Sequence, residues 1–321
     1  MDQNVLLTML PQVLIDGLTL GFLYAVVALG YTMVYGILEL INFAHGEIFM
    51  VGAFLGTEVL LIMQSFGILE GLNPFVAFLL AILVASLITG GMGVTIERIA
   101  YRPLRNSPRL IALISAIGVS FFLQDLVRFT EGLVRNAFYL SGPQLFKGII
   151  PLSSSIFIPT KTLLIIISAI VMMVSLHLFV SRTKWGIAMR AVAQDQQTAS
   201  LMSINVNKVI ALTFFIGSSL GGATGVLYAQ QYGTVDPYIG FILGLKAFTA
   251  AVLGGIGNLK GAMWGGVLLG LIESLGTAYM GPLTGNAFGA EYKDVFAFTI
   301  LIIVLLFKPE GLFGEAVKEK V

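Results

Sequence analysis

Charge is what this sequence has least of. Asp, Glu, Lys and Arg make up 11% of its 321 residues and hydrophobic residues 57%, against roughly 25% charged in an ordinary soluble domain. Too few polar residues remain to cover a water-facing surface, so the outer surface must face lipid. Cysteine is absent, which excludes disulfides and thiolate chemistry and leaves the compartment open. A net charge of +1 favours neither nucleic acid nor acidic partners. There is no Gly-x-x-x-x-Gly-Lys-Ser/Thr, so no nucleotide is expected to bind here. Histidine occurs twice, at His45 and His177, with no His-Glu-x-x-His, so no metal site is expected either. No Ser-His-Asp set or carboxylate pair suggests an enzyme. Met1 to Leu10 holds no Lys or Arg and so lacks the basic region of a cleavable signal, which makes the first apolar stretch a retained span.

What is abundant is apolar length. A membrane-crossing helix needs about 20 mainly apolar residues. Nine stretches approach this: 12–35, 43–63, 75–96, 110–129, 162–180, 209–230, 240–257, 262–280 and 295–307. The expected fold is an all-α integral membrane protein, a polytopic bundle of about nine (eight to ten) transmembrane helices forming a single permease domain over 1–321. The last three stretches are short or glycine-rich, with re-entrant or broken segments as the alternative.

Basic residues orient the bundle, because cytoplasmic connectors carry an excess of Lys and Arg. Arg98, Arg102, Arg105 and Arg109 share one connector, Arg182, Lys184, Arg190 and Lys208 another, and Lys308, Lys318 and Lys320 the tail. Placing these and Lys260 inside leaves Arg128, Arg135, Lys147, Lys161 and Lys293 outside and Lys246 in the membrane. The N-terminus is then outside and the C-terminus cytoplasmic. The segment 131–161, with Gly142, Pro143, Pro151, three serines from Ser153 and Pro159, reads as an outer loop carrying a short helix or hairpin.

Glycine is plentiful, at 37 residues. Gly217, Gly221 and Gly225 form a small-residue ridge for close helix packing. Gly254-Gly255-Ile256-Gly257-Asn258 is too glycine-rich for a helix, and a break is expected there. At membrane depth a break needs protein or a wet cavity beside it. Asn42, Gly46 and Glu58 echo Asn258, Gly261 and Glu273 in type and approximate spacing, a weak repeat.

Ionisable groups within spans are costly and need a reason. They are Asp16, His45, Glu47, Glu58, Asp125, His177, Lys246 and Glu273. Asn42, His45 and Glu47 open the second span, as helix-capping groups or as part of a gate or pathway together with Gly254, Gly255, Gly257 and Asn258. Lys246 is expected to pair with an acid such as Glu58 or Glu273.

The connector 181–208 reads as a short amphipathic helix around 189–200. Ala191, Asp195 and Ala199 recur every four residues and present a small face. Trp185-Gly186 is expected to break it from the preceding span, and Asn205 to end it in a left-handed conformation. Such a helix either lies on the membrane surface or docks into a soluble partner.

Thr183-x2-Gly186-x3-Arg190-Ala191-x3-Asp195-x3-Ala199 is similar to the coupling loop of the branched-chain amino acid ABC permeases. So are Gly30-Tyr31, Asn42-Phe43-Ala44-His45-Gly46, Ala251 to Asn258 and Phe307-Lys308-Pro309-Glu310-Gly311-Leu312-Phe313-Gly314. The chain resembles the LivH-type family over nearly its whole length. The resemblance implies an importer subunit of a bacterial or archaeal cytoplasmic (inner) membrane that forms half of a translocation pore. It implies a LivM-like second permease, two cytoplasmic ATP-binding subunits that hold ATP and Mg²⁺, and a periplasmic or extracellular solute-binding protein. No cofactor is implied in this chain. The coupling role falls on Gly186, Arg190, Ala191, Asp195 and Ala199. An ion-coupled secondary transporter or channel, using Asp16, Glu58, Lys246 and Glu273, is the competing reading; the coupling-loop pattern and the lack of a nucleotide site separate the two.

Overall fold

A computed structural model describes residues 3–314, apart from 106, 154, 155 and 286. Lys318, Lys320, Ser154 and Ser155 therefore lie outside the described residues. In chain order the elements are α1 (Gln3–Leu38), α2 (Ala44–Ser65), α3 (Ile68–Gly71) and α4 (Pro74–Ile96). A π turn (Glu97–Tyr101) and a 3₁₀ turn (Arg102–Leu104) lead to α5 (Arg109–Arg135). Strands β1 (Leu140–Ser141), β2 (Ile149–Ser153) and β3 (Ile156–Pro159) precede α6 (Thr160–Arg182), α7 (Lys184–Gln194), α8 (Gln196–Leu201) and α9 (Val206–Tyr232). Then follow β4 (Thr234–Val235), α10 (Ile239–Gly254), α11 (Leu259–Leu283), a 3₁₀ turn (Ala290–Tyr292) and α12 (Lys293–Phe307).

Each of the nine expected stretches holds a helix, and among the described residues seven helices are long and apolar enough to cross a membrane. The other two, α10 and α12, have 16 and 15 residues, roughly 24 and 22 Å at 1.5 Å per residue. The outer-loop expectation is met by a hairpin, β2 against β3, while β1 pairs antiparallel with β4. The start of that loop moves: α5 runs on to Arg135, so the first residues expected in the loop are helical. It ends there because Asn136 turns left-handed.

Small residues set the packing. Along α1 and α11, which run antiparallel, a Cβ on Gly21 or Gly270 would meet the facing backbone. The α9 ridge does what its spacing predicts. Gly217 faces the Gly30 carbonyl of α1, Gly221 faces His45, and Gly225 lies against the Phe49–Ala53 backbone of α2. Helix α5, by contrast, buries one stripe (Ala112, Ala116, Ser120, Leu123, Val127) and exposes Phe121, Phe122 and Phe129. That outward face meets lipid or another subunit.

The basic connectors gather at one end of the bundle. Arg105 donates to Asn207 Oδ1 at 2.6 Å, joining the 97–109 connector to the start of α9. Glu97, fully buried, accepts from Arg102 at 2.9 Å and from Arg105. Burial lowers the Arg105 guanidinium from its ordinary value, with the Glu97 charge opposing that shift. At the opposite end Arg135 binds Glu58 at 2.5 and 2.6 Å, and Lys161 donates to the Gln231 carbonyl at 2.6 Å.

Candidate functional site

The 181–208 connector is two helices rather than one. Thr183, not Trp185-Gly186, makes the break from α6: its backbone is extended and its hydroxyl accepts from Gly186 N at 3.0 Å. Trp185 and Gly186 are inside α7. The expected continuous run from 189 to 200 is interrupted at Asp195, whose extended backbone ends α7. The Asp195 carboxylate accepts from Gln197 N and Thr198 N at 2.8 and 3.2 Å and so caps α8. Asn205 does not end a helix either; it caps α9 through Lys208 N at 3.0 Å, and Ser203 is the residue with positive φ.

The expected docking groups stand at different depths. Ala199 is buried at 4% exposure, Ala191 is half-buried against the core, and Gly186 admits no Cβ beside the carbonyls of Phe179 and Val180. Arg190, exposed, donates back to the Val180 carbonyl, and Asp195 is exposed as well. The outward apolar surface belongs to residues that small-residue periodicity did not select. Leu201 and Met202 are 83% and 74% exposed, and Trp185 and Ile187 about half. Two adjacent large apolar residues at a helix end in a basic connector were the available signal.

The connector is tied to the spans. Gln196 Nε2 donates to the Ile37 carbonyl at the end of α1, at 3.0 Å. A cavity of about 560 Å³ separates α7 from the break after α10, with Met189 and Arg190 on one wall and Gly257, Asn258 and Lys260 on the other. His177 and Thr32 also line it.

The break itself is as expected. Gly255 and Gly257 have φ of 103° and 92°, a region open to glycine at no steric cost. Asn258 caps α11 through Lys260 N and Gly261 N at 3.0 and 3.2 Å. The chain's last described residues then close the exposed end of α10. Leu312 N and Phe313 N donate to the carbonyls of Leu253 and Gly254 at 2.8 and 3.1 Å, and Asn258 Nδ2 donates to the Phe313 carbonyl at 2.9 Å. Two sequence motifs some fifty residues apart are one clasp.

Asn42, His45 and Glu47 cluster at the start of α2, all at 2% exposure or less. Asn42 does not cap that helix; its oxygen accepts from Tyr101 Oη at 2.7 Å. Glu47 Oε1 accepts from Ser120 of α5 at 3.2 Å. The His45 ring lies edge-on to Tyr31, 4.7 Å between centroids, with Gly30 and Gly221 beside it. Neither of its nitrogens has a hydrogen-bond partner of good geometry, although the Val27 carbonyl bears on the ring. Asn42 Nδ2, Glu47 Oε2 and Thr32 Oγ1 are likewise unsatisfied.

Lys246 takes Glu273, not Glu58. Its Nζ lies 2.6 Å from Glu273 Oε1 and 2.6 Å from Asp294 Oδ1, and Tyr24 Oη donates to Glu273 Oε2 at 2.8 Å. The repeat noted between Glu58 and Glu273 thus joins an ion-paired residue at the bundle's end to one in its interior.

The profile of a family described as "Branched-chain amino acid transport system / permease component" matches residues 13–305. The permease protein LivH of the high-affinity branched-chain amino acid transport system of Escherichia coli (strain K12) is 47% identical, over 97% of each chain. BraD of Pseudomonas aeruginosa, of the same description, is 45% identical over 97% of each. A chain of PsaBC from Streptococcus pneumoniae, solved in complex with Fab, aligns over 92% of this chain and 91% of its own, with TM-score 0.48 and 14% identity. With its apolar spans, its capped connector and its glycine break, this multi-pass chain belongs to the branched-chain amino acid permease family and is a transport subunit of an ABC transporter.

Proposed function

We propose that this chain forms half of a translocation pore and imports branched-chain amino acids or a related small polar solute. A LivM-like second permease completes the pore. Two ATP-binding subunits, holding ATP and Mg²⁺, dock on the 181–208 connector, and a binding protein delivers solute at the opposite face. The basic end of the bundle is cytoplasmic, with the N-terminus outside and the C-terminus inside, in a bacterial or archaeal inner membrane.

One observation carries the reading: α7 and α8 are a compact, capped pair, bonded to the ends of α1 and α6 and presenting Leu201 and Met202 outward. Force applied there reaches the spans through these bonds. Opposite them, across the cavity, stands the Gly257–Asn258 break, where backbone can move without straining a helix. Asn42, His45 and Glu47 are buried together at the start of α2, and a transport state in which α2 parts from its neighbours would open polar groups to the pathway, which supports a gate role.

The test is the double substitution Leu201→Glu with Met202→Glu. Both side chains are exposed, so membrane abundance should be normal, while co-purification of the ATPase fails and ATP-dependent leucine uptake drops at least tenfold. Wild-type uptake by this variant would remove the connector from the coupling role.

A further inference from the structure

The cavity between α7 and the break after α10 lies at the basic end of the bundle, where spans begin and end. Thr32 and Ile37 sit in the last two turns of α1, His177 and Ser181 near the end of α6, and Leu259 and Lys260 at the start of α11. In a membrane this is the depth of the phospholipid headgroups.

Two features of the cavity point to an anion. The first is charge. Arg190 and Lys260 line it, and no Asp or Glu is among the described residues of its walls. None of the ion pairs among the described residues involves either base. The bond from Arg190 to the Val180 carbonyl leaves its charge uncompensated. Positive charge without a counter-ion, beside low-dielectric walls, attracts an anion strongly.

The second is a buried hydroxyl without a partner. Thr57, Thr89, Thr213 and Thr224, all buried in spans, return their hydroxyls to the carbonyl four residues back, at 2.7 to 3.0 Å. Thr32, 1% exposed and on the cavity wall, does not, and its Oγ1 has no partner among the described residues. Buried hydroxyls in folded proteins are nearly always bonded, so this donor is free for an oxygen that the chain itself does not supply. Much of the remaining wall is apolar, with Met33, Met189 and Leu259. A small water-soluble anion gains nothing from such a wall, whereas the glycerol backbone and first methylenes of a lipid do.

We propose that this cavity binds the headgroup of an anionic phospholipid from the leaflet on that side. Its phosphate accepts from the Thr32 hydroxyl, and Arg190 and Lys260 balance its charge. Met33, Met189 and Leu259 cover its glycerol backbone. Such a lipid bridges α7 to the start of α11 and so joins the connector to the glycine break. The proposal needs the membrane-spanning bundle and not the identity of the solute.

The experiment uses the full-length chain, purified in detergent with the subunits that accompany it, and native mass spectrometry to measure the first lipid bound. Phosphatidylglycerol and phosphatidylcholine of identical acyl chains both carry a phosphate, but only the first has a net negative charge. Phosphatidylglycerol should bind about tenfold more tightly. Lys260→Gln, at an exposed side chain, should weaken it about fivefold, the effect of one base near an anionic headgroup. Thr32→Val, which keeps the side-chain shape, should weaken it to a similar degree. Lys208→Gln, at an exposed base of the same layer outside the cavity, should leave it unchanged. Equal binding of the two lipids would overturn the proposal, and that comparison needs no variant to fold. Unchanged binding in Lys260→Gln or in Thr32→Val would overturn it too. So would a loss in Lys208→Gln as large as that in Lys260→Gln, which would mean diffuse attraction to the basic layer. Excess inorganic phosphate should not displace the lipid; displacement would make this a site for a free oxyanion and overturn the lipid assignment.

Discussion

At the scale of single residues, the small side chains divide into two kinds. Gly225 is a contact point: an added Cβ would strike the Phe49 carbonyl and the Ala53 nitrogen of α2, both backbone atoms that cannot swing aside. Replacing Gly225 by Leu should separate α2 from α9 and cost at least the 1–3 kcal/mol typical of overpacking. The expected outcome is a lower melting temperature in detergent and reduced membrane abundance, whereas Gly91→Ala, which meets nothing, should behave as wild type. Ala191 is of the other kind. Its spacing with Asp195 and Ala199 suggests a face for a partner, but its methyl group is half-buried against the chain's own core. A bulky residue there perturbs α7 itself, which is why the exposed Leu201 and Met202 make the cleaner probe of docking. A four-residue period states that residues share a helix face; it does not state whether that face looks inward or outward.

Among elements, what was legible in the sequence is what local chemistry determines. The spans follow from apolar length, the hairpin from clustered Gly and Pro, and the break at Gly254–Asn258 from residues that make poor helix. Three features were not legible, for one shared reason. The interruption at Asp195 depends on whether an Asp three residues before Thr198 caps a new helix or sits on the surface of an old one, and both fit the same letters. The partner of Lys246 depends on how α10, α11 and α12 come together. The clasp between Leu253–Asn258 and Leu312–Phe313 joins two motifs that only the fold makes neighbours. This clasp yields a prediction. Asn258→Ala removes both the α11 cap, worth about 1 kcal/mol, and the bond to the Phe313 carbonyl. Amide hydrogen exchange should then accelerate at Leu312 and Phe313 and at the first turn of α11, while α4 and α5, which are distant from the clasp, keep their protection. Unchanged exchange at Leu312 and Phe313 would mean that the tail is held by something other than Asn258.

For the molecule as a whole, the distribution of charge is the strongest constraint on how it sits in a membrane. Arg105–Asn207 and Gln196–Ile37 bind the basic connectors and the end of α1 into one layer. The pairs Arg135–Glu58 and Lys161–Gln231 lie in the layer at the other end. Either layer could in principle face the cytoplasm, because the helices between them are satisfied both ways up. Insertion supports the orientation proposed above: Lys and Arg near span ends resist translocation, and acids count for little. The layer that holds Arg135 and Lys161 has fewer bases than the basic layer, where Arg98, Lys184 and Lys208 stand in addition to Arg102 and Arg105. The native chain has no cysteine, so a single introduced thiol reports without background. Cysteine at exposed Gln197 of α8 should react with a membrane-impermeant maleimide only after the membrane is opened, and cysteine at exposed Tyr139, before β1, should react in intact cells. Reaction at both positions in intact cells would place the two layers on one side and break the bundle described here. Reaction at Gln197 alone would invert it and carry the connector away from any cytoplasmic ATPase.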